Sequence, residues 1–176
     1  MTTIGQIVYI ALGSNLGDRF SHLEQALHRL ADAEGVAVRR VSSVYETAAH
    51  TAEPGELEPD FLNAVVELDV DRSPESLLEL CMSIEREAGR ERRRRWAPRT
   101  IDLDVILFGD RVIDEPDLHV PHPRLAGRRF VLQPLADLAP DLVLPVPPGT
   151  TVYSLLERTP DRGEVRRYPR ELTLPP

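Results

Sequence analysis

Residues 92–108 of this 176-residue chain read Arg92-Arg93-Arg94-Arg95-Trp96-Ala97-Pro98-Arg99-Thr100-Ile101-Asp102-Leu103-Asp104-Val105-Ile106-Leu107-Phe108. Four consecutive arginines open the stretch, and a run rich in Ile, Leu, Val and Phe closes it and predicts a β-strand. Side chains of a strand alternate between two faces, so Asp102 and Asp104 point the same way, with Cα atoms roughly 6.6 Å apart. Two carboxylates beside dense positive charge indicate a divalent metal ion next to a polyanion.

The predicted strand is largely apolar on both faces, which is typical of a sheet covered on both sides. Strict alternation places on one face Ile101, Leu103, Val105 and Leu107, and on the other Asp102, Asp104, Ile106 and Phe108. Carboxylates in such a strand are costly to bury unless they open into a cleft or hold a cation. Taken alone, the stretch leaves two interpretations open: a metal and phosphate site, or a solvated polar face beside a solvated basic patch.

The composition narrows the chemistry of a phosphate site. All 21 basic residues are arginine, and the chain has no lysine. A P-loop, which needs a lysine on the phosphates, is therefore excluded, as is a Schiff-base lysine. Any grip on phosphate must come from arginine, backbone N–H groups and metal, and arginine suits bidentate phosphate contacts.

The charge is unevenly distributed. The net charge is −8, while residues 90–99 contain six arginines and one glutamate, a local +5 that leaves −13 for the remainder. A concentrated basic patch on an acidic body favours a small polyanionic ligand over a nucleic acid. We expect no membrane span and no signal peptide, and the single cysteine, Cys81, fits a reducing cytoplasm.

The hydrophobic pattern predicts an alternation of strands and helices. Strands are expected over residues 6–12, 36–45, 61–70, 102–108 and 111–113, and helices over about 19–33, 74–88, 130–138 and 152–157. The second strand does not alternate strictly, which indicates a bulge. Residues 47–59 form a long polar loop of the kind that is often functional. This order suits an α+β fold with split β-α-β units of the ferredoxin-like kind.

Three polar features have alternative interpretations. Residues 13–18 are either a weak phosphate cradle or a turn between a strand and a helix. Asn63 either satisfies neighbouring backbone or reads a ligand's hydrogen-bond pattern. His122 lies between two prolines, near arginines, and we expect its ring to face a ligand.

Four stretches together resemble one family. They are Tyr9-Ile10-Ala11-Leu12-Gly13-Ser14-Asn15-Leu16-Gly17-Asp18, Phe61-Leu62-Asn63-Ala64, Arg95-Trp96-Ala97-Pro98-Arg99-Thr100-Ile101-Asp102-Leu103-Asp104, and Pro121-His122-Pro123-Arg124 continuing through Arg128 to Phe130. In this order they resemble the hydroxymethyl-dihydropterin pyrophosphokinases of folate biosynthesis. The resemblance extends from Ile7 to about Pro145.

The resemblance implies a fold and an activity. The fold is a three-layer α/β/α sandwich with a ferredoxin-like core and a mainly antiparallel sheet, as one domain over 1–176 with its core at about 4–145 and a proline-rich extension at 146–176. The activity is transfer of pyrophosphate from ATP to the hydroxymethyl group of a reduced pterin, with release of AMP. We expect a cytoplasmic monomer that binds ATP and 6-hydroxymethyl-7,8-dihydropterin, without nucleic acid or membrane.

The resemblance also implies roles for particular residues. The catalytic residues are Arg92, Arg99, Asp102 and Asp104, and the two aspartates are the ligands of two Mg²⁺ ions. The ATP-binding residues are Glu85, Arg90, Arg92, Arg93, Arg99, Ile101, His122 and Arg128. The pterin-binding residues are Thr47, Phe61, Asn63, Trp96, Asp102 and Phe130, with the two phenylalanines stacked on the faces of the pterin.

The chain departs from the family pattern at one loop. After Tyr45-Glu46-Thr47 a proline is usual, whereas Ala48-Ala49-His50 follow here. The shape of this loop on the pterin side, and the strength of pterin binding, therefore depend on this chain's own residues. Two other functions are compatible with the acidic pair and the arginines. One is a Mg²⁺-dependent phosphoesterase or nucleotidyl transferase, and the other is a non-enzymatic protein that binds polyanions through its arginines.

Overall fold

A computed structural model describes residues 5–49, 58–89, 100–147 and 149–176. Its strands are β1 (Gln6–Ser14), β2 (Val36–Val41), β3 (Tyr45–Thr47), β4 (Phe61–Val70), β5 (Asp102–Phe108), β6 (Ile113–Glu115), β7 (Leu118–Val120) and β8 (Val165–Arg167). Its helices are α1 (Arg19–Ala31), α2 (Pro74–Glu87), α3 (Arg129–Leu138) and α4 (Val152–Arg158), with a 3-10 turn at Leu125–Gly127.

The main sheet has the strand order β5-β1-β4-β3-β8, and β2 also pairs with β4. Every pairing is antiparallel. Strand β4 lies between β1 and β2, which α1 connects, and β1 lies between β4 and β5, which α2 connects. These are two interlocked split β-α-β units. The predicted α+β class, with a mainly antiparallel sheet, is confirmed.

Apolar side chains cover the sheet on both faces. One cluster joins the sheet to α1 and α2 and contains Phe20, Leu23, Leu27, Leu77, Cys81 and Ile84. The other joins it to α3 and α4 and contains Val131, Leu132, Leu135, Val152 and Leu156. The sheet is thus the middle of three layers, which explains why its central strands are apolar on both faces.

Both helices on the first face begin at caps that the sequence predicts. Asp18 accepts a hydrogen bond from the backbone of Ser21 at 3.1 Å, and Ser73 accepts one from Ser76 at 3.1 Å ahead of Pro74. Such caps satisfy N–H groups that have no partner inside the helix. No helix among the described residues combines the length and apolar character that crossing a membrane requires.

The single strand predicted over 36–45 is two strands, β2 and β3. Between the pairs Val41 with Val66 and Tyr45 with Asn63, three residues oppose two on β4. The hydroxyl of Ser42 accepts a hydrogen bond of 2.9 Å from the backbone of Val65, in a place where the ladder is interrupted. The bulge that irregular alternation indicated is present, and a second register shift lies between residues 38 and 40.

Strict alternation along β5 is wrong at its end. Tyr9 pairs with Leu107 and Ile10 with Val105, so Ile106 is an extra residue in β5. Beyond this bulge the faces exchange: Leu107 packs with α3 and α4, and Phe108 packs with α1 and α2. The aspartates precede the bulge and keep their common face.

The later elements also differ from the prediction. The strand expected at 111–113 is the hairpin of β6 and β7, displaced toward the carboxyl end. Residues 146–176, expected as an extension outside the core, contribute α4 to one apolar cluster, β8 to the sheet and Leu172 to the other cluster. Their short strand carries Val165-Arg166-Arg167, which has little apolar signal because β8 lies at the sheet edge.

Candidate active site

The register of three strands brings the predicted site residues into rows. Gly13 on the central strand β1 is opposite Asn63 on β4 and Asp102 on β5. Ala11, two residues earlier, is opposite Asp104. Residues that lie opposite each other share a face, so small side chains on β1 separate the carboxylates of β5 from the amide of β4.

A cleft of about 260 Å³ opens over these rows on the face that carries α3. A Cβ added at Gly13 would lie 3.4 Å from Oδ1 of Asn63 and 3.8 Å from Phe61. Glycine at this position therefore leaves space in the cleft beside these two side chains. The cleft is lined by Ala11, Leu12, Gly13, Thr47, Ala48, Glu58, Phe61, Asn63, Ala64, Asp102, Asp104, His122, Arg124, Arg128, Phe130 and Val131.

One side of the cleft is charged. Nη1 of Arg128 lies 3.6 Å from Oδ2 of Asp104, and the Arg128 guanidinium lies 5.7 Å from the ring centroid of Phe130. Burial lowers the pKa of Arg128 and the positive charge of Arg124 adds to this, while Asp104 and Asp102 act in the opposite direction. An arginine so placed keeps its charge at neutral pH and can share it between a carboxylate and an anionic ligand.

His122 lies at the charged side with a neutral ring. Its backbone N–H donates to the carbonyl of Ile106 at 3.1 Å, and its Nδ1 accepts from the backbone of Arg124 at 3.1 Å. Burial, followed by the charges of Arg128 and Arg124, lowers the pKa of His122 to about 4. A neutral imidazole whose Nδ1 is an acceptor carries its proton on Nε2, which makes the ring a hydrogen-bond donor.

The opposite side combines an amide with aromatic rings. Nδ2 of Asn63 donates a 2.9 Å hydrogen bond to Oγ1 of Thr47, and both side chains are buried. An amide has more donors and acceptors than this one bond uses, so Asn63 can also bind a polar ligand edge. Phe61 on β4 and Phe130 on α3 line the same cleft and are partly exposed. Apolar rings left open beside an amide suit a flat heteroaromatic ligand.

Helix α3 is tied to the sheet beside this side of the cleft. The hydroxyl of Tyr45 lies 2.8 and 3.0 Å from the two carboxylate oxygens of Asp137. Burial and this hydrogen bond raise the pKa of Tyr45 to about 12, so the tyrosine is the donor. Because Tyr45 is opposite Asn63, the bond sets the distance between α3, which carries Phe130, and the strand that carries the amide.

Two residues predicted to bind ATP lie outside the cleft lining. Oε1 of Glu85 accepts a 2.9 Å hydrogen bond from the backbone N–H of Leu103, and only 6% of Glu85 is exposed. Leu103 separates the two aspartates on β5, an edge strand of the sheet. Glu85 therefore satisfies an edge N–H and holds the aspartate segment in place. Ile101 is 1% exposed as a whole residue and belongs to the core cluster with α1 and α2, so it does not line the cleft.

The structure does not describe the basic residues at the start of the opening stretch. The predicted site residues Arg90, Arg92, Arg93, Arg99 and Trp96 lie outside the described residues. Of residues 13–18, considered as a phosphate cradle, Gly13 lines the cleft and residues 14–18 do not. The buried Ser14 and Asn15 and the capping residue Asp18 fit the alternative, a turn from β1 into α1.

The cleft also contains residues to which sequence reasoning assigned no role. Gly13 and Ala11 lie on its floor, and Arg124 and Glu58 lie on its walls. Arg124 could have been predicted from the sequence, because it lies two residues after His122 and near Arg128. The small residues of β1 could not, because their role depends on which strands pair with β1. Ala48, where the family pattern has a proline, lines the cleft beside Thr47.

The fit of magnesium to these residues follows from the donor set. Among the described residues, no group of three His, Cys, Asp or Glu side chains is placed to hold a metal ion. Asp102 and Asp104 nevertheless share one face and one cleft. Mg²⁺ is commonly held by one or two carboxylates, with phosphate and water oxygens completing its shell. Two aspartates without further protein ligands fit such an ion.

An α+β sandwich whose cleft joins carboxylates, arginine, an amide and aromatic rings defines an enzyme that acts on small molecules. The family model described as 7,8-dihydro-6-hydroxymethylpterin-pyrophosphokinase (HPPK) matches residues 9–140. That range covers most of the chain and all the lining residues named above. The chain belongs to this family and is a pyrophosphokinase-type enzyme.

Relatives named 2-amino-4-hydroxy-6-hydroxymethyldihydropteridine pyrophosphokinase share much of the sequence. The protein of Bacillus subtilis is 47% identical over 135 residues, covering 77% of this chain and 79% of the relative. That of Pseudomonas aeruginosa is 42% identical over 164 residues, covering 93% and 98%.

Solved structures support the fold. A Plasmodium falciparum HPPK-DHPS with pteroate matches with a TM-score of 0.70 at 17% identity, covering 89% of this chain and 41% of that chain. The chain spans less than half the length of that protein, and the similarity concerns the fold alone.

Proposed function

We propose that this protein transfers the pyrophosphoryl group of ATP to 6-hydroxymethyl-7,8-dihydropterin in folate biosynthesis. The observation that carries the proposal is the composition of one cleft. One group, Asp102 and Asp104, lies on β5, and a second group lies on β4 (Asn63 and Phe61) and on α3 (Phe130). A substrate with a flat, hydrogen-bonding ring and a reactive hydroxymethyl arm would extend from the second group to the first.

The reaction joins the hydroxymethyl oxygen to the β-phosphorus of ATP. The bond between the β-phosphorus and the oxygen bridging to the α-phosphate breaks, and that oxygen leaves with AMP. The hydroxyl proton is released to water, and the product is the pterin diphosphate ester. Transfer of this kind depends mostly on positioning and on neutralising charge, and less on covalent participation of the protein.

The cleft residues divide this work. Asn63 orients the pterin edge, and Phe61 and Phe130 hold its two faces, at about 0.5–1.5 kcal/mol per stacked pair beyond area burial. Thr47 holds the Asn63 amide. Arg128 and the neutral, donating ring of His122 bind phosphate oxygens. Glu85 keeps the aspartate segment of β5 in place through Leu103.

Magnesium belongs to the same proposal. Two Mg²⁺ ions, when bound, supply positive charge at the phosphates, and Asp102 and Asp104 are the residues that would hold them. Arg90, Arg92, Arg93 and Arg99 complete the phosphate grip in the proposal, with Ile101 and Trp96 beside the substrates, on the basis of the family resemblance. Monomeric state, a cytoplasmic location and a single domain over 1–176 are part of the proposal as well.

The test is product analysis. The protein is incubated with ATP, MgCl₂ and 6-hydroxymethyl-7,8-dihydropterin, and nucleotides are separated by chromatography. AMP should appear in equal amount to the pterin consumed, and omission of the pterin should abolish it. Formation of ADP, or of AMP without pterin, would overturn the proposal and favour a phosphoesterase or nucleotidyl transferase. Unchanged ATP in the complete mixture would also overturn the proposal and would favour the non-enzymatic alternative, a protein that binds polyanions.

A further inference from the structure

The C-terminal segment, residues 159–172, contacts the start of α3. The helix has Arg128 at its N-cap position, and that side chain makes no capping hydrogen bond. Instead Oδ2 of Asp161 accepts a 3.0 Å hydrogen bond from the backbone N–H of Arg129. A carboxylate there satisfies a free N–H and interacts favourably with the helix dipole. The next residue in α3 is Phe130, which lines the cleft.

Asp161 is itself held in position. Its backbone N–H donates to Oγ1 of Thr159 at 3.3 Å, and its Oδ1 accepts from the backbone of Gly163 at 2.9 Å. Thr159 is 1% exposed, so the turn is rooted in the protein interior. The carboxylate therefore has a defined direction, which a flexible terminal tail would not provide.

The same segment forms the edge of the sheet beside the cleft. In β8, Val165 is opposite Thr47, and Arg167 is opposite Tyr45 on β3. Thr47 on β3 accepts the hydrogen bond from Asn63 on β4, so β3 alone separates β8 from the strand that carries the amide. Strand β3 has three residues, and its pairing on both sides restrains a short strand that would otherwise end the sheet.

A third contact reaches the residue before Phe61. Nη2 of Arg166 lies 3.4 Å from Oδ2 of Asp60 and 3.4 Å from Oε1 of Glu46. The Arg166 side chain is 54% exposed, so this ion pair is weak. Of the three contacts that the segment makes here, this ion pair is expected to contribute the least stability. It involves Asp60, the residue before Phe61.

The far end of the segment is anchored on the opposite face of the sheet. Tyr168 stacks on Phe20 of α1 with ring centroids 6.0 Å apart, and the Arg170 guanidinium lies 3.8 Å from the Phe20 centroid. Leu172 is buried in the cluster of α1 and α2. The segment thus runs from the start of α3, along β3, to the other helical layer.

We infer that residues 159–172 position the pterin side of the cleft, with Asp161 as the principal positioning residue. The inference rests on the proposed function. Each of three proposed pterin contacts is adjacent to the segment: Phe130 follows Arg129, Thr47 pairs with Val165, and Phe61 follows Asp60. The segment lies beyond residue 140, where the family match ends. Asp161 is not a lining residue of the cleft, so it acts through α3 and not on substrate.

The experiment uses the full chain with Asp161→Ala, Asp161→Asn and Glu164→Ala. Glu164 is exposed in the same segment, and its substitution removes the same charge. For each variant, the Kd of the pterin is measured by fluorescence titration. The values of kcat and of KM for each substrate are measured from the rate of AMP formation. All measurements are made at a temperature well below the midpoint of thermal unfolding. Asp161→Ala should raise the pterin Kd and KM about three- to tenfold, which is the change expected when the stability lost with a helix cap is restored on pterin binding.

The other kinetic constants and variants distinguish a positioning role of Asp161 from a general loss of structure. KM for ATP should rise less than KM for the pterin, because Arg128 is the one proposed phosphate-binding residue that directly precedes the capped N–H of Arg129. The value of kcat should change less than about twofold, because the aspartates lie on β5, away from the segment. Asp161→Asn retains one acceptor oxygen for the two N–H groups of Arg129 and Gly163 and should give a pterin Kd between those of the wild type and Asp161→Ala, while Glu164→Ala should match the wild type.

Two results would overturn the positioning role: an unchanged pterin Kd in Asp161→Ala, or equal rises in KM for both substrates. Absence of pterin-dependent AMP in the wild type would instead overturn the proposed function, which is a different result.

Discussion

The amide of Asn63 donates a 2.9 Å hydrogen bond to the hydroxyl of Thr47, diagonally across strands β3 and β4. The pairing joins a strand of the central sheet to the start of the loop in which the chain departs from its family. Ala48, the first residue of that departure, lines the cleft next to Thr47. The orientation of the Asn63 amide, which we propose binds the pterin, therefore depends on how this loop begins.

Replacing Thr47 by valine should weaken pterin binding. Valine has nearly the same shape but leaves an Asn63 N–H without its acceptor, at a cost of about 1–3 kcal/mol in a buried place. We expect a roughly tenfold rise in the pterin Kd, measured by fluorescence titration. Thr47→Ser keeps the hydroxyl and serves as the matched control. Equal affinities of Thr47→Val and wild type would show that this bond does not orient the amide.

Neutralising either aspartate should stop turnover while the fold survives. Asp102→Asn and Asp104→Asn each remove a proposed magnesium ligand, and loss of several kcal/mol of charge stabilisation corresponds to about a thousandfold in kcat. AMP formation across a MgCl₂ titration gives the rate, and circular dichroism gives the fold. Asp110→Asn, at the exposed turn after β5, is the control. A variant of Asp102 or Asp104 with near wild-type turnover would refute the ligand role.

His122 should stay neutral across the physiological range. Its pKa lies at about 4 in the folded protein against an ordinary 6.5, because of burial and the neighbouring arginines. Between these values the unfolded chain binds a proton that the folded protein does not, so folding stability falls as pH drops. The contribution is complete above pH 6.5 and is lost as pH falls toward 4.

The measurement is urea unfolding from pH 7.5 to 4 of wild type and His122→Asn. The wild type should lose stability relative to the variant as pH falls, since asparagine does not titrate. His28→Asn on the exposed face of α1 is the control and should follow the wild type. Parallel curves for wild type and His122→Asn would contradict the lowered pKa.

The bulge between β2 and β3 should depend on one hydroxyl. Ser42→Ala leaves the buried N–H of Val65 without the acceptor at 2.9 Å that it has now. We expect the free energy of unfolding to fall by about 1–3 kcal/mol, measured by urea denaturation. Ser83→Ala, on the exposed side of α2, should change it by less than about 0.5 kcal/mol. No loss in Ser42→Ala would mean that water replaces the hydroxyl.

Elements with strong local signals could be predicted from the sequence. Helices α1 and α2 have caps at Asp18 and Ser73 and an apolar stripe, and both are present. The ends of strands could not be predicted as well, because the bulges at Ile106 and Ser42 depend on the partner strand. Strand β8 carries almost no apolar pattern and exists because β3 offers an unpaired edge.

The sequence by itself determined the acidic pair, because strand periodicity is local and places Asp102 and Asp104 on one face. The alternation of strands and helices predicted the α+β class, and the resemblance of four stretches indicated the family. It also determined that phosphate must be held without lysine. Only the tertiary structure decided that Asn63 and Asp102 lie on either side of Gly13, since register is a long-range property. The structure likewise decided that the polar C-terminal segment contacts Arg129, strand β3 and Asp60, which adjoin residues of the cleft. A hydrogen bond such as that from Arg129 to Asp161 joins residues 32 positions apart, and no local pattern encodes it.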